Sequence, residues 1–310
     1  MKTIDIICVG EVVIDFIGHE INTSINKTKD YHRFLGGSPT NVAVNASRIG
    51  LKPILVASCG QDGLGDYIVR KLKSNNLDVS YIKRISNLPT SIILVSKSTE
   101  TPDFIPYRQA DCDITIDQLP DEMIQNAKIF HTTCFALSKD PARNTILNRA
   151  KRAKDFGLKL SIDLNYSERI WPNREEAKKV IKDYLKNDPL LKISEDDCFR
   201  FFEEVKSEDF IFDYFHNLGV TTICLTKGKN GVVVSDIHEG LFFQEAEFIQ
   251  EVKDTTGAGD AFWTGFLYAQ IKNKNIKNSI SIAQKLASLK LQSVGKLPEN
   301  IDLESLFNLI

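Results

Sequence analysis

Along the chain, short apolar runs alternate with longer stretches whose apolar positions recur every three to four residues. The runs at 4–9, 52–58, 90–96, 129–133, 159–164, 190–193, 220–225, 231–235 and 241–244 read as strands. The helical spacing predicts helices at about 42–49, 66–74, 141–156, 175–185, 258–271 and 278–294. Strands alternating with helices at this interval argue for an α/β fold whose mainly parallel sheet is covered on both faces. Two segments break the rhythm: 12–35 is mixed and polar, and 88–110 holds an extended piece, 101–107, with Pro102 and Pro106. They predict an appendage beside the sheet. No linker rich in Pro, Gly or Ser and no internal repeat divides the 310 residues, so one domain, 1–310, carrying that appendage is expected.

Composition narrows the partners. Apolar residues at 42% and charged residues at 26% are ordinary for a globular chain, and a net charge of -2 offers no basic surplus for nucleic acid. No apolar run reaches the length of a membrane span, and the N-terminus enters a strand without the shape of a signal peptide. The six cysteines are scattered without a CxxC pair, several of them in strand-like runs. Buried reduced thiols, rather than disulfides or a metal site, are the reading. A cytoplasmic protein acting on small molecules is expected.

Chemistry gathers at 251–262. A polar segment containing Gly257 and Gly259 runs straight into the apolar pattern of the 258–271 helix, with Thr255 or Thr256 as its N-cap. Glycines there let the backbone approach a ligand, and a helix start adds partial positive charge, so the turn is an anion cradle. Asp260 stands at its mouth, where a carboxylate can take a proton from an attacking hydroxyl. An isolated GxGD would be no more than a helix-start charge; the longer string gives it weight.

The nine residues Asp254-Thr255-Thr256-Gly257-Ala258-Gly259-Asp260-Ala261-Phe262, followed by Gly265, resemble the C-terminal signature of the ribokinase (PfkB) family of sugar kinases. That resemblance implies a ribokinase-like three-layer sandwich with a small β-sheet lid, here 12–35 and 88–110. It makes Asp260 the catalytic base and the amides of Gly257, Ala258 and Gly259 the anion hole. It implies ATP and Mg²⁺, a monovalent-cation (K⁺) site at Asp254 and Thr256, and a homodimer formed through the lid.

The resemblance spans nearly the whole chain. Gly36-Gly37-Ser38-Pro39-Thr40-Asn41 is similar to the family's sugar-binding signature, with Gly36, Gly37 and Asn41 as contacts, and Asp15 matches its sugar-binding carboxylate. Thr226-Lys227-Gly228-Lys229-Asn230-Gly231 resembles the nucleotide loop, so Thr226, Gly228 and Gly231 are assigned to the nucleotide, with Asn165, Ser194 and Gln284. Two departures stand out. Ser194-Glu195-Asp196-Asp197 replaces Asn-x-x-Glu, leaving Asp197 to reach Mg²⁺ through water. Asp163-Leu164-Asn165-Tyr166-Ser167 replaces Asp-Pro-Asn-x-Arg, with the arginine displaced to Arg169.

Residues 102–108, with Ala110-Asp111, are similar to the lid segment of fructokinases, as is Ile170-Trp171-Pro172. A 2-keto-3-deoxygluconate kinase would share Arg108 but needs a second guanidinium for the substrate carboxylate. Ser167 therefore favours a neutral ketose, with Arg108 and Arg169 beside it. A catalytically silent sugar or nucleotide sensor would be expected to lose Asp260 or the glycines, and both are kept. No GxxxxGK[ST] string and no GxGxxG after the first strand leave P-loop and dinucleotide chemistry without a basis.

Overall fold

The computed structural model describes residues 2–97, 103–293, 295, 297–299 and 301–303. In chain order the elements begin β1 (Ile4–Val9), β2 (Val13–Ile21), β3 (Tyr31–Gly36), α1 (Ser38–Arg48), β4 (Pro53–Gly60), α2 (Gly63–Lys73), β5 (Ile82–Ile85), β6 (Ile92–Lys97) and β7 (Phe104–Tyr107). The middle adds α3 (Asp121–Gln125), β8 (Ala127–Thr133), α4 (Ala142–Asp155), β9 (Lys159–Asp163), α5 (Arg174–Leu185), β10 (Leu190–Ser194), α6 (Glu195–Phe202) and α7 (Glu208–His216). The last part holds β11 (Thr222–Thr226), β12 (Val232–Asp236), β13 (Gly240–Gln244), α8 (Ala258–Ile271) and α9 (Ile276–Leu291).

Nine strands form one sheet in the order β13-β12-β11-β10-β9-β8-β1-β4-β5. From β5 to β11 every pairing is parallel; β12 and β13 close the other edge antiparallel. Strand β1 shows why the sheet needs cover on both faces. Its Ile6 and Cys8 pack into one apolar cluster with α1, α2, α8 and α9, while Ile7 and Val9 pack into another with α4 to α7. Alternate side chains of a strand point to opposite faces, so a run that is apolar throughout requires two cores. Burying a side chain of this size stabilises the fold by about 1.5–3 kcal/mol. The three layers follow.

Residues 12–35 and 88–110 supply a second sheet, β3-β2-β6-β7, with β2/β3 and β6/β7 antiparallel and β2/β6 parallel. Its β2 is longer than the mixed polarity of 12–35 predicts, because the strand borders a cleft and needs no continuous apolar face. The Arg33 guanidinium lies 4.0 Å over the Tyr67 ring, and the Tyr67 hydroxyl donates to the Arg33 carbonyl at 3.4 Å, which ties β3 to α2. Of the extended piece expected at 101–107, residues 101 and 102 lie outside the described residues, as does Val294 at the expected end of the last helix.

Helices α6 and α7 are absent from the sequence expectation. They pack by aromatic edge contacts among Phe201, Phe202, Phe210, Tyr214 and Phe215 rather than by a regular aliphatic stripe. Helix α8 is buried at every position from Ala261 to Gln270, as expected of a helix with apolar residues all round. From β1 the chain proceeds to β4 on one side and later to β8 on the other. The C-terminal ends of β1 and β8 therefore flank a topological switch point, where open α/β sheets place their ligands.

Candidate active site

Two helix N-termini meet at that switch point. Helix α1 begins at Ser38, directly after Gly36 and Gly37. Gly37 has φ 103°, and a Cβ on it would stand 2.3 Å from the Glu11 carbonyl oxygen; a Cβ on Gly36 would stand 2.2 Å from Asp15 Oδ2. Only glycine admits these approaches. Glu11, at the end of β1, accepts from the Ser38 N–H at 3.1 Å and from the Thr133 hydroxyl at 2.9 Å, while its carbonyl accepts from Thr40 Oγ1 at 3.0 Å. Burial lifts its carboxyl to about 8. Glu11 thus fixes the start of α1 across the gap between β1 and β8, a role that nothing around position 11 signals along the chain.

Helix α8 begins at Ala258 with Gly257 as N-cap, φ 75°, and no side chain caps it. The expected cap at Thr255 or Thr256 is not formed, because the Thr256 N–H is turned to Asp254 Oδ1 at 2.9 Å and left-handed backbone at Gly257 starts the helix instead. In the first turn, Asp260 Oδ1 accepts from Ser38 Oγ at 2.6 Å and Oδ2 from Asn41 Nδ2 at 2.8 Å. Burial pushes the Asp260 carboxyl above its ordinary value, opposed by these two bonds and by the charges of Lys192 and Lys290.

Among the described residues no acceptor takes the N–H of Gly257 or Gly259, whereas the Ala258 N–H is held by the Thr255 carbonyl at 3.2 Å. The cradle is floored by Lys192 of β10, buried and bonded to both oxygens of Asp163 at 2.9 and 2.7 Å. Its Nζ lies 3.6 Å from where a Cβ on Gly259 would sit. Free amides, two helix starts and a fixed ammonium make this a point suited to developing negative charge.

The predicted monovalent-cation site does not fit its residues. Asp254 Oδ2 accepts from the Lys290 ammonium at 3.2 Å and from the Gly295 N–H at 3.0 Å, and Oδ1 is held by Thr256. K⁺ beside Asp254 and Thr256 would meet a like charge at contact distance.

A cleft of about 770 Å³ runs from the 252–257 loop along α1 to the inner side of the small sheet. Asp15 and Asn41 line it. Burial, then the neighbouring Asp260, raises the Asp15 carboxyl to about 7. The two expected arginines are not brought to this cleft. Arg108 is 7% exposed, bonds twice to Asp111 at 2.9 and 2.7 Å, donates to Ser138 and the Phe135 carbonyl, and lies 4.0 Å over the Phe135 ring. With its donors engaged, it braces the end of β7. Arg169 is half exposed and paired with Asp103 of the small sheet.

The proposed nucleotide residues lie along the C-terminal edge of β9 to β11. Asn165 accepts from the Phe135 N–H at 3.2 Å; Thr226 ends β11, and Gly228 and Gly231 shape its turn into β12. Ser194 caps α6 reciprocally with Asp197, whose other oxygen pairs with Arg200 at 2.7 Å. Gln284 is buried and donates to the Glu245 carbonyl at 3.5 Å, so it braces the chain after β13 rather than facing open space. Among the described residues no group of three or more His, Cys, Asp or Glu could hold a metal ion. Asp163 gives both oxygens to Lys192 and Asp197 gives its oxygens to Ser194 and Arg200, so neither carboxylate is free to take Mg²⁺ directly; the ion would rest on phosphate and water oxygens.

Residues 3–300 match the sequence pattern of the pfkB family carbohydrate kinases. The chain belongs to that family. It is similar to the ATP-dependent 6-phosphofructokinase of Thermoanaerobacterium thermosaccharolyticum, 33% identical over 305 residues covering 98% of this chain and 93% of the relative. Among solved structures it resembles the fructokinase of Halothermothrix orenii, with a TM-score of 0.80, 32% identity, and 92% of this chain and 98% of that one covered. An uncharacterized sugar kinase of Pyrococcus horikoshii in complex with ATP also matches, at a TM-score of 0.83 and 26% identity over 96% of each chain. The fold is therefore that of the pfkB kinases, and the activity class is phosphoryl transfer to an alcohol group.

Proposed function

We propose that this pfkB kinase transfers the γ-phosphoryl group of ATP to a primary hydroxyl of a ketohexose, fructose O6 in the first reading. The observation that carries it is Asp260, held by Ser38 and Asn41 one residue beyond the free Gly259 amide. In that role Asp260 takes the hydroxyl proton, while the Gly257 and Gly259 amides and Lys192 face the charge that develops on the transferred group. Asp15 and Asn41 bind sugar hydroxyls, with the small sheet as a lid. Thr226, Gly228, Asn165 and Ser194 border the nucleotide. Mg²⁺ would supply charge neutralisation, with Asp197 reaching it through water. The lid leaves Ile21 and Tyr107 exposed, which supports a homodimer through it, and six unpaired buried thiols suit the cytoplasm.

An acidic sugar loses its bidentate partners, because neither Arg108 nor Arg169 reaches the cleft. A second reading is a phosphorylated ketose. His19, His32, Lys71 and Lys97 line the same cleft as Asp15, and the Thermoanaerobacterium relative is named for such a substrate. The test is ADP release over a panel of fructose, fructose 6-phosphate, ribose, nucleosides and 2-keto-3-deoxygluconate. No turnover with either ketose would overturn the ketohexose reading.

A further inference from the structure

A lysine ammonium is an unusual thing to bury beneath an anion hole, and Lys290 is 3% exposed there. It comes from α9, reaches Asp254 Oδ2 at 3.2 Å, and its Cε lies 3.8 Å from where a Cβ on Gly257 would sit. Three backbone bonds secure the same spot: Lys253 N–H to the Leu291 carbonyl at 2.8 Å, Gly295 N–H to Asp254 Oδ2 at 3.0 Å, and Thr256 N–H to Asp254 Oδ1 at 2.9 Å. The 253–257 loop is thus clamped to the end of α9 by one carboxylate and one fixed positive charge. The pairing holds Asp254 below its ordinary carboxylate value: burial pushes it up, and the amides of Thr256 and Gly295 with the Lys290 charge outweigh that. The charge of Lys290 also reaches Asp260.

A monovalent cation at this place would do two things, neutralise Asp254 and hold the loop that presents the Gly257 amide. Both are done by the chain itself. We infer that the Lys290 ammonium is a built-in replacement for a monovalent cation, so that this kinase positions its anion hole without K⁺. Lys290 is a positioning residue: it touches Asp254 and the back of the Gly257 turn.

The experiment compares wild type, Lys290→Ala and Lys290→Met in K⁺ and in tetramethylammonium at equal ionic strength. It reads the thermal midpoint, the affinity for MgADP, and turnover with whichever sugar the panel identifies. The first two need no sugar, so they stand whatever the outcome for fructose. Wild type should change by less than about twofold between the two cations. Lys290→Ala opens a cavity beside an unpaired carboxylate; it should lose ~10-fold or more in turnover in tetramethylammonium and recover most of it in K⁺. Lys290→Met fills the volume without the charge, so it should show the same loss and no recovery.

Wild type activated several-fold by K⁺ overturns the inference. So does Lys290→Met behaving as wild type, or a folded Lys290→Ala indifferent to K⁺. Should Lys290→Ala not fold, the wild-type and Lys290→Met results decide.

Discussion

The Ser38 hydroxyl donates to Asp260 Oδ1 at 2.6 Å across 222 residues of sequence. This bond joins the first turn of α1, which follows Gly36 and Gly37, to the first turn of α8, which follows the glycine cradle proposed as the anion hole. It also tunes the base: burial raises the Asp260 carboxyl, and the bonds from Ser38 and Asn41 pull it back down. Ser38→Ala should therefore raise the Asp260 pKa further. Since the base works only when deprotonated, the acid limb of the kcat profile should move to higher pH. Turnover above that limb should fall by less than ~10-fold, because the deprotonated Asp260 keeps its bond from Asn41 and gains basicity. An acid limb that stays in place would separate Ser38 from the base.

Asp260→Asn keeps the shape of the side chain and its bond to Ser38 while removing the acceptor for a proton. The fold and sugar affinity should be retained, with kcat reduced at least ~10²-fold, the usual scale for a lost general base. A folded variant with near-wild-type turnover would remove Asp260 from the mechanism.

The sequence made the local half of this site legible. Gly36-Gly37 and the 254–262 string announce themselves because their requirements lie within a few residues: a positive φ at Gly37 and Gly257, and a carboxylate one turn into α8. Alternating strands and helices likewise disclosed the layers. The residues that complete the site depend on partners far along the chain. Lys192 reads as an ordinary strand lysine until β9 brings Asp163 beside it, and Lys290 as a surface lysine until α9 packs under the 253–257 loop. Glu11 gains its role only where β1 meets α1 and β8. Arg108 and Arg169 mislead for the same reason: Asp111 and Asp103 capture them before they reach a ligand.

The two cradle glycines should respond differently to alanine. Gly257 has φ 75°, so Gly257→Ala should cost about 1 kcal/mol of stability as well as turnover. At Gly259 a Cβ would meet nothing nearer than Lys192 Nζ at 3.6 Å, an ordinary contact, so Gly259→Ala should melt like wild type. Its added methyl nonetheless stands where phosphate must approach the amide, and kcat should fall at least ~10-fold. A Gly259→Ala variant that melts far below wild type would make that glycine structural.

Asp15 should weaken the free protein as pH rises. Its carboxyl sits at about 7 in the folded chain, while in the unfolded chain it titrates near 3.9. Between those values the unfolded chain releases a proton that the folded chain keeps, so stability falls with rising pH. Asp15→Asn removes this dependence: its thermal midpoint should exceed that of wild type at pH 8 and converge with it by pH 4. Allowing for water in the cleft, the gain is on the order of 1–2 kcal/mol. Glu11, at about 8, and Asp163, at about 6, act with the same sign and remain in the variant. An unchanged difference between the two proteins across that range would place Asp15 in open solvent.

The charge of the sugar is the sharpest question the cleft poses. Asp15, Ile17 and His19 alternate along β2 and all line it, which sets His19 roughly 13 Å from Asp15 at the rise of a strand. His32 stacks on His19 at 5.1 Å, and Lys71 and Lys97 border the same wall. A ketohexose whose hydroxyls lie on Asp15 and Asn41 would leave this basic wall to water; a phosphate on its far end would reach toward it. Asp15→Ala removes a hydroxyl acceptor common to both ligands, so KM should rise about 5- to 150-fold for either. The double change His19→Ala with His32→Ala should leave kcat/KM for fructose within about threefold, because no charge is being paired. For fructose 6-phosphate it should cost ~10-fold or more and flatten the fall of kcat/KM with ionic strength. Measured together, these four values separate the readings. A wild-type preference for fructose 6-phosphate of tenfold or more, lost in the double variant, would replace fructose with the phosphorylated ketose. A tenfold preference for 2-keto-3-deoxygluconate would overturn both while leaving the chain a sugar kinase.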